Sequence, residues 1–309
     1  MVFEEYDIFK SLVSLNQEEL FATMKSYLKN KYKKVYSSKE FMVAIGNIPI
    51  ALVAHLDTVY SKPVLNLYYD EKQSVLWSPE GLGADDRAGV FIILQIIKKG
   101  LRPSIILTTD EEKGGLGALA LSKMSCPIKK PKYMIQLDRR GYNDCVFYSC
   151  DNGDFVKYVE SFGFEESYGS FSDISFLMPE WDICGVNLSV GYEDEHSYSE
   201  RLHVDWMFET ISKVEKMLKE KNIPDFKYEE YFRPYSALSS FNENCSCCGR
   251  VFSEYEMFPV KTNSGKVAMY CPDCISVNVG WCKNCSEPFE ITNPNVLNIC
   301  NDCLKEETV

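Results

Sequence analysis

The chain has 309 residues, a formal net charge of -12, and 45% apolar with 13% aromatic residues. That is enough for one packed domain of roughly 200 residues plus a small module. The composition excludes long disorder, and the acidic balance argues against a surface built for nucleic acid or anionic membrane.

The first segment, MVFEEYDIFKSLVSL, lacks a basic leader, and Glu4, Glu5, Asp7 and Lys10 interrupt its apolar residues, so no export signal is expected. The longest apolar run, near 89–97, is short of the roughly 18 residues of a membrane span. A cytoplasmic protein with its 13 cysteines reduced follows. Residues 1–35 read as two helices. Asn16 and Glu19 form a capping box that starts the second, and Leu20, Met24 and Leu28 make its apolar stripe. Segments 42–46 and 50–55 are short strands with a turn at Asn47, and 65–70 and 74–78 form a hairpin. A helix begins at Asp85 or Asp86 and ends at Gly100. Strands follow at 104–109, 133–137, 145–149 and 186–190, and helices at 116–124, 155–163 and 205–221. This alternation predicts a three-layer α/β sandwich with a mostly parallel central sheet, whose ligands gather at the carboxyl ends of the strands.

Polar residues at those ends carry the chemistry. His55 and Asp57 lie two apart at a strand end, so both point to one face. Imidazole is a zinc ligand, and a carboxylate beside it can hold the other ring N–H and fix the tautomer. Asp85 sits in a glycine-rich turn before a helix. Its two oxygens could bridge two metals, while Asp86 reads better as a helix cap. Glu111 and Glu112 are adjacent after a strand and face opposite sides of an extended backbone. One can bind metal while the other takes a proton from a water that zinc has acidified. Asp138 ends another strand and His196 follows the strand at 186–190. His203, where the last helix begins, reads as a surface or core residue. Taken singly, each of these residues has an ordinary structural reading. Together they form an ordered series of His, Asp, Glu, Asp and His with a spare Glu.

Those residues, within HLD (55–57), GADDRAG (83–89), DEE (110–112), LD (137–138) and GYEDEH (191–196), resemble the co-catalytic di-zinc aminopeptidases and carboxypeptidases. The likeness covers about residues 40–220. It implies a phosphorylase/hydrolase-like α/β fold, Asp85 as bridging ligand, His55 and Asp138 on one zinc, and Glu112 and His196 on the other. It further implies Glu111 as general base, Asp57 as the residue orienting His55, and a candidate cis peptide at Asp85–Asp86. Cobalt or manganese would suit the same ligands. Many such enzymes insert a lid or dimerisation domain. Here 29 residues separate His55 from Asp85 and 57 separate Asp138 from His196, leaving no room for one, so a lidless aminopeptidase-like branch is expected. Arg139 and Arg140 could hold a substrate carboxylate, and Glu193, Asp194 and Glu195 a substrate ammonium. The segment 170–176, with Asp173, resembles a loop lining the site.

After a polar, aromatic stretch at 223–243, read as a linker, come four C-x-x-C pairs: Cys245/Cys248, Cys271/Cys274, Cys282/Cys285 and Cys300/Cys303. Two such knuckles complete a tetrahedral site. Sequential pairing predicts two structural zinc ions in tandem ribbons over 244–309, with cross-braced pairing the alternative and Cys247 left over. Residues 244–309 hold 5 Lys/Arg against 8 Asp/Glu, which points to a protein contact or a stabilising appendage rather than nucleic acid. The expected organisation is a catalytic domain over 1–222, the linker, and the ribbons. The expected activity is a zinc-dependent exopeptidase, foremost an aminopeptidase. A carboxypeptidase or an N-acyl amino acid amidohydrolase is the related alternative, and a non-catalytic zinc-binding adaptor the rival.

Overall fold

The computed structural model describes residues 5–129, 131–169 and 171–230, and beyond them 242–247, 251–253, 258–261, 267–271, 274–275, 279–281 and 288–290. The chain divides into two units, Met1–Tyr231 and Phe232–Val309.

The first unit is an α/β sandwich on an eight-stranded mixed sheet. Its centre is four parallel strands, β6 (Pro103–Thr108), β3 (Ile48–His55), β7 (Tyr133–Arg139) and β10 (Gly185–Ser189). From Ile50 to His55 every residue of β3 is buried, as expected for a strand covered on both faces. The flanks are antiparallel or short: β1 (Val35–Ser37) and β2 (Phe41–Ala44) beyond β6, and β8 (Asp144–Val146) and β9 (Glu165–Glu166) beyond β10. The two strands around Asn47 do not pair with each other. β3 already has a parallel neighbour on each edge, so β2 runs antiparallel along the far edge of β6.

Helices α1 (Tyr6–Val13), α3 (Ala84–Lys98) and α7 (Val204–Lys219) pack together, joined by edge-to-face rings: Phe9 on Phe91 at 5.8 Å and Phe91 on Phe208 at 6.2 Å. Helices α4 (Leu116–Ser122) and α6 (Ile174–Trp181) pack against each other elsewhere on the sheet. Helix α2 (Gln17–Lys31) opens with the expected capping box. Asn16 Oδ1 accepts from Glu19 N at 3.0 Å, and Asn16 N donates to Glu19 Oε2 at 3.1 Å. Losing such a cap costs about 1 kcal/mol. Asn16→Ala is therefore expected to lower the unfolding free energy by about that much in denaturant titration, with the slope unchanged.

The expected hairpin is present as β4 (Tyr68–Asp70) and β5 (Val75–Trp77). It belongs to a second, small sheet with β11 (Tyr192–Glu193) and β12 (Arg201–His203). By pairing β5 with β12, this sheet ties the segment after His55 to the loop that carries His196. The 170–176 segment is not all loop, since α6 begins at Ile174. Its helical character was hidden in the sequence by Pro179 in the middle of so short a helix.

Residues 223–230, read from sequence as the start of a linker, lie on the first unit. Phe226 packs on Phe155 at 4.9 Å and Tyr158 at 5.1 Å. Tyr228 is buried, Asp151 N donates to Glu229 O at 2.7 Å, and Cys150 bridges to Glu230. The polar composition misled because alternate residues face water while the aromatic ones fill a groove.

In the second unit, β13 (Asn242–Asn244) pairs with β14 (Val251–Ser253). Strands β15 (Phe258–Lys261), β16 (Val267–Tyr270), β17 (Val279–Trp281) and β18 (Pro288–Glu290) form a four-stranded sheet. Cys248, Cys282, Cys285, Cys300 and Cys303 lie outside the described residues.

Candidate metal centre

Five parts of the chain converge at the carboxyl ends of the central strands. His55 ends β3 and is 1% exposed. Its Nε2 lies 3.0 Å from Asp85 Oδ1 and 3.4 Å from Asp138 Oδ1, and its Nδ1 lies 3.2 Å from Asp57 Oδ1. His196 presents its Nε2 to the other Asp85 oxygen at 3.1 Å and to Glu112 Oε1 at 2.9 Å. Asp85 thus stands between two imidazoles, one oxygen toward each. Two triads of donor atoms, His55/Asp85/Asp138 and Asp85/Glu112/His196, each lie within 4.8 Å of one another, as does a third that adds Glu111 to His55 and Glu112.

The local backbone explains these placements. Glycine at position 83 takes φ 64°, and the Asp85–Asp86 peptide is cis. Asp85 and Asp86 are non-helical, so Asp86 caps the regular helix: its Oδ1 accepts from Gly89 N at 2.9 Å, and its Oδ2 accepts from His55 N at 3.1 Å. Asp57 does more than face His55. It also accepts from the backbone N–H of Glu111 and of Glu112, both at 3.0 Å, and so aligns both glutamates with the histidine. His196 sits at φ 61° and Asp110 at φ 56°, left-handed values that surrounding contacts must hold.

Several supports were not visible in the sequence. Glu200, 1% exposed, accepts from Gly83 N at 2.7 Å and from Asp85 N at 3.0 Å, fixing the loop that carries Asp85. Ser172 donates to Asp138 Oδ2 at 2.9 Å, and Tyr192 donates to Asp138 Oδ1 at 3.1 Å. Asn187 brackets the Asp138 backbone, accepting from its N–H and donating to its carbonyl. The only hint was position: Glu200 is four residues past His196, in a polar run that looks solvated. Asp173 is fully buried and accepts from the Thr108 hydroxyl at 2.5 Å, so it sits behind the cluster. Arg139 and Arg140 line the cavity beside the cluster, with Arg140 Nη1 at 2.9 Å from Glu195. Glu193 instead faces His203, and Asp194 faces Arg201.

The electrostatics are those of an acidic cluster with too few cations. Burial and the Asp85 carboxylate push Asp138 up to about 7. Burial, then the Asp138, Asp173 and Asp85 carboxylates, raise Glu111 to about 9 against the opposing pull of His55. Burial and the Asp85 charge raise Glu200 to about 7. Asp85 goes the other way: burial alone would raise it, but His196 and His55 hold it well below the usual carboxylate range. His196 is raised to about 11 by its hydrogen bonds to Asp85 and Glu112. Burial alone would lower His55, yet Asp138, Asp57 and Asp85 keep it well above the usual value. Carboxylates crowded around inward-facing imidazole Nε2 atoms are a donor set suited to divalent cations, whose charge reverses this local logic. The residues present fit a pair of such ions.

In the second unit, Cys245, Cys271 and Cys274 are buried and bring their sulfurs within 4.8 Å of one another. Cys271 N points at Cys245 Sγ at 3.4 Å, and Cys274 N donates to Cys271 O at 3.0 Å, closing a tight knuckle. Three thiols so placed can hold a metal ion.

No family model matches the sequence, and no curated protein matches it. Solved structures do. The aminopeptidase PepT from Bacillus cereus superposes with TM-score 0.56 at 15% identity over 69% of this chain and 96% of its own. Its fold is the one these peptidases share. A tripeptidase from Staphylococcus aureus matches with TM-score 0.55 at 15% identity, again over 69% and 96%. A TET aminopeptidase from a Thaumarchaeota archaeon matches with TM-score 0.56 at 13% identity, over 71% of this chain and 98% of that one. Among the described residues, no helix is long and apolar enough to cross a membrane.

Proposed function

We propose that the first unit is a metal-dependent aminopeptidase acting on short peptides in the cytoplasm. The observation that carries this reading is the position of Asp85, with one oxygen 3.0 Å from His55 and the other 3.1 Å from His196, each pair completed by a further carboxylate. His55, Asp85 and Asp138 would hold one zinc ion, and Asp85, Glu112 and His196 a second. When bound, the ions supply Lewis-acid polarisation of the scissile carbonyl and an acidified water. Glu111, which is not needed to complete either triad, takes a proton from the attacking water and returns it to the leaving amine. Asp57 faces His55 Nδ1 and would hold its N–H, leaving Nε2 to serve a metal ion. Asp57 also sets where Glu111 and Glu112 point.

The shared fold of PepT, the tripeptidase and the TET enzyme favours peptide over other amide substrates. In the second unit we infer that Cys245, Cys271 and Cys274 bind a structural zinc with Cys248, and that Cys282, Cys285, Cys300 and Cys303 bind another. Burial of three clustered thiols supports the first assignment, and the C-x-x-C spacing supports the second. The ribbons would serve as a protein-contact or stabilising module.

The reading is tested with purified full-length protein. We expect four zinc ions per chain and hydrolysis of aminoacyl amides carrying a free amine. Dialysis against chelator should abolish turnover, and added zinc, cobalt or manganese should restore it. Turnover only of N-blocked substrates would replace the aminopeptidase with an amidohydrolase. No turnover of either class by the metal-loaded protein would leave the adaptor reading in its place.

A further inference from the structure

The cavity of about 390 Å³ that opens on the acidic cluster also carries the opposite charge. Arg139 follows Asp138 directly at the end of β7, so its backbone is about 3.8 Å from that of a cluster residue. Its side chain lines the cavity together with the rings of Tyr148 and Phe171 and is 17% exposed. The neighbouring Arg140 is already matched, with Glu195 at 2.9 Å. Arg139 is not. Its Nη2 donates to the Tyr168 carbonyl at 3.0 Å, the nearest carboxylate oxygen, on Asp144, is 3.6 Å away, and Nε has no partner among the described residues. A guanidinium offers five N–H donors in a fork shaped for a carboxylate. Few of them are used here.

We propose that Arg139 is the receptor for a carboxylate on the substrate, so that the site selects short peptides that present one near the scissile bond. This rests on the hydrolytic reading of the metal centre. Two divalent cations would balance the carboxylates of Asp85, Glu111, Glu112 and Asp138, leaving Arg139 with only the looser pair to Asp144 at 3.6 Å. A scissile bond held beside Asp85 and His196 would lie in the same cavity as that guanidinium. The carboxylate can come from an acidic side chain or from the free carboxyl end of a dipeptide. Both offer the same planar pair of oxygens, which Asp144 at 3.6 Å does not bring into hydrogen-bond range. A lysine would bring the charge without the fork.

The test is calorimetric, on full-length protein prepared with zinc, using ligands that cannot be hydrolysed. One pair is L-glutamate and L-glutamine, which differ only in the side-chain carboxylate. The other is leucyl-glycine with a reduced peptide bond, as the free acid and as the amide. In at least one pair the acid is expected to bind about 10- to 100-fold more tightly than the amide. Arg139→Gln should erase that preference while leaving the affinity for the amide unchanged, and Arg139→Lys should restore only part of it. The pair that shows the effect identifies the source of the carboxylate. The proposal fails if neither acid is preferred or if the preference survives Arg139→Gln. Absence of peptide turnover would overturn the hydrolase reading instead, and it leaves this binding difference measurable.

Discussion

Glu111→Gln is expected to lower kcat for an aminoacyl amide by about 10²- to 10⁴-fold, the usual worth of a positioned general base, or about 3–5 kcal/mol of barrier. The substitution keeps the shape of the side chain and removes only its ability to take a proton. Each donor triad is complete without Glu111, and the Glu111 backbone N–H stays on Asp57 whatever the side chain is. Zinc content and KM should therefore change little. Retention of the full rate would remove Glu111 from the mechanism. A fall in zinc content of the same variant would show that Glu111 is a ligand instead, which its proximity to His55 and Glu112 makes a concrete alternative outcome.

Glu200→Ala is expected to destabilise the fold although the residue touches no substrate. Its carboxylate accepts from two backbone N–H groups of the Asp85 loop, at 2.7 and 3.0 Å, in a position 1% exposed. Alanine would leave both donors buried and unpaired, at about 1–3 kcal/mol each, or about 2–6 kcal/mol in all. The loop it releases carries the residue that faces both histidines, so the loss should extend to metal retention. We expect a lower denaturation midpoint in metal-free protein and, after loading, less than the wild-type amount of zinc at the cluster. Glu200→Gln keeps one acceptor oxygen and should fall in between. Wild-type stability and zinc content in Glu200→Ala would show that the two hydrogen bonds are dispensable.

The parts of this architecture legible in the sequence share one property: they are polar residues interrupting strongly apolar strands. His55 after IALVA, Asp138 after MIQL and Glu111 after SIILTT announce themselves, because a carboxylate or imidazole at the end of a buried strand needs a reason to be there. The parallel sheet was legible for the same reason, since only strands covered on both faces are so continuously apolar. What escaped was support delivered from a distance. Ser172, Asn187 and Tyr192 act on Asp138 through side-chain contacts from 34, 49 and 54 positions away in the numbering. Nothing local distinguishes them from loop or strand residues of the same type. Glu200 was hidden in a run of polar residues whose solvated reading fits every member except that one. Pairing order was also out of reach. The sequence shows two strands around Asn47 but not that β6 separates them.

The docking of residues 223–230 changes what counts as a module in this protein. Composition suggests that the catalytic fold stops near 222 and that anything beyond is exchangeable. Yet Phe226 and Tyr228 close a groove that Phe155, Tyr158 and Ser149 would otherwise leave open to water. A gene fusion or domain swap made at 222 would strip away part of the wall of the recipient fold. One made beyond the first unit, which runs to Tyr231, would keep these side chains. Among the described residues, the junction along which this chain can be recombined with other C-terminal pieces is therefore set by which side chains still pack on the first unit, not by where polar composition begins.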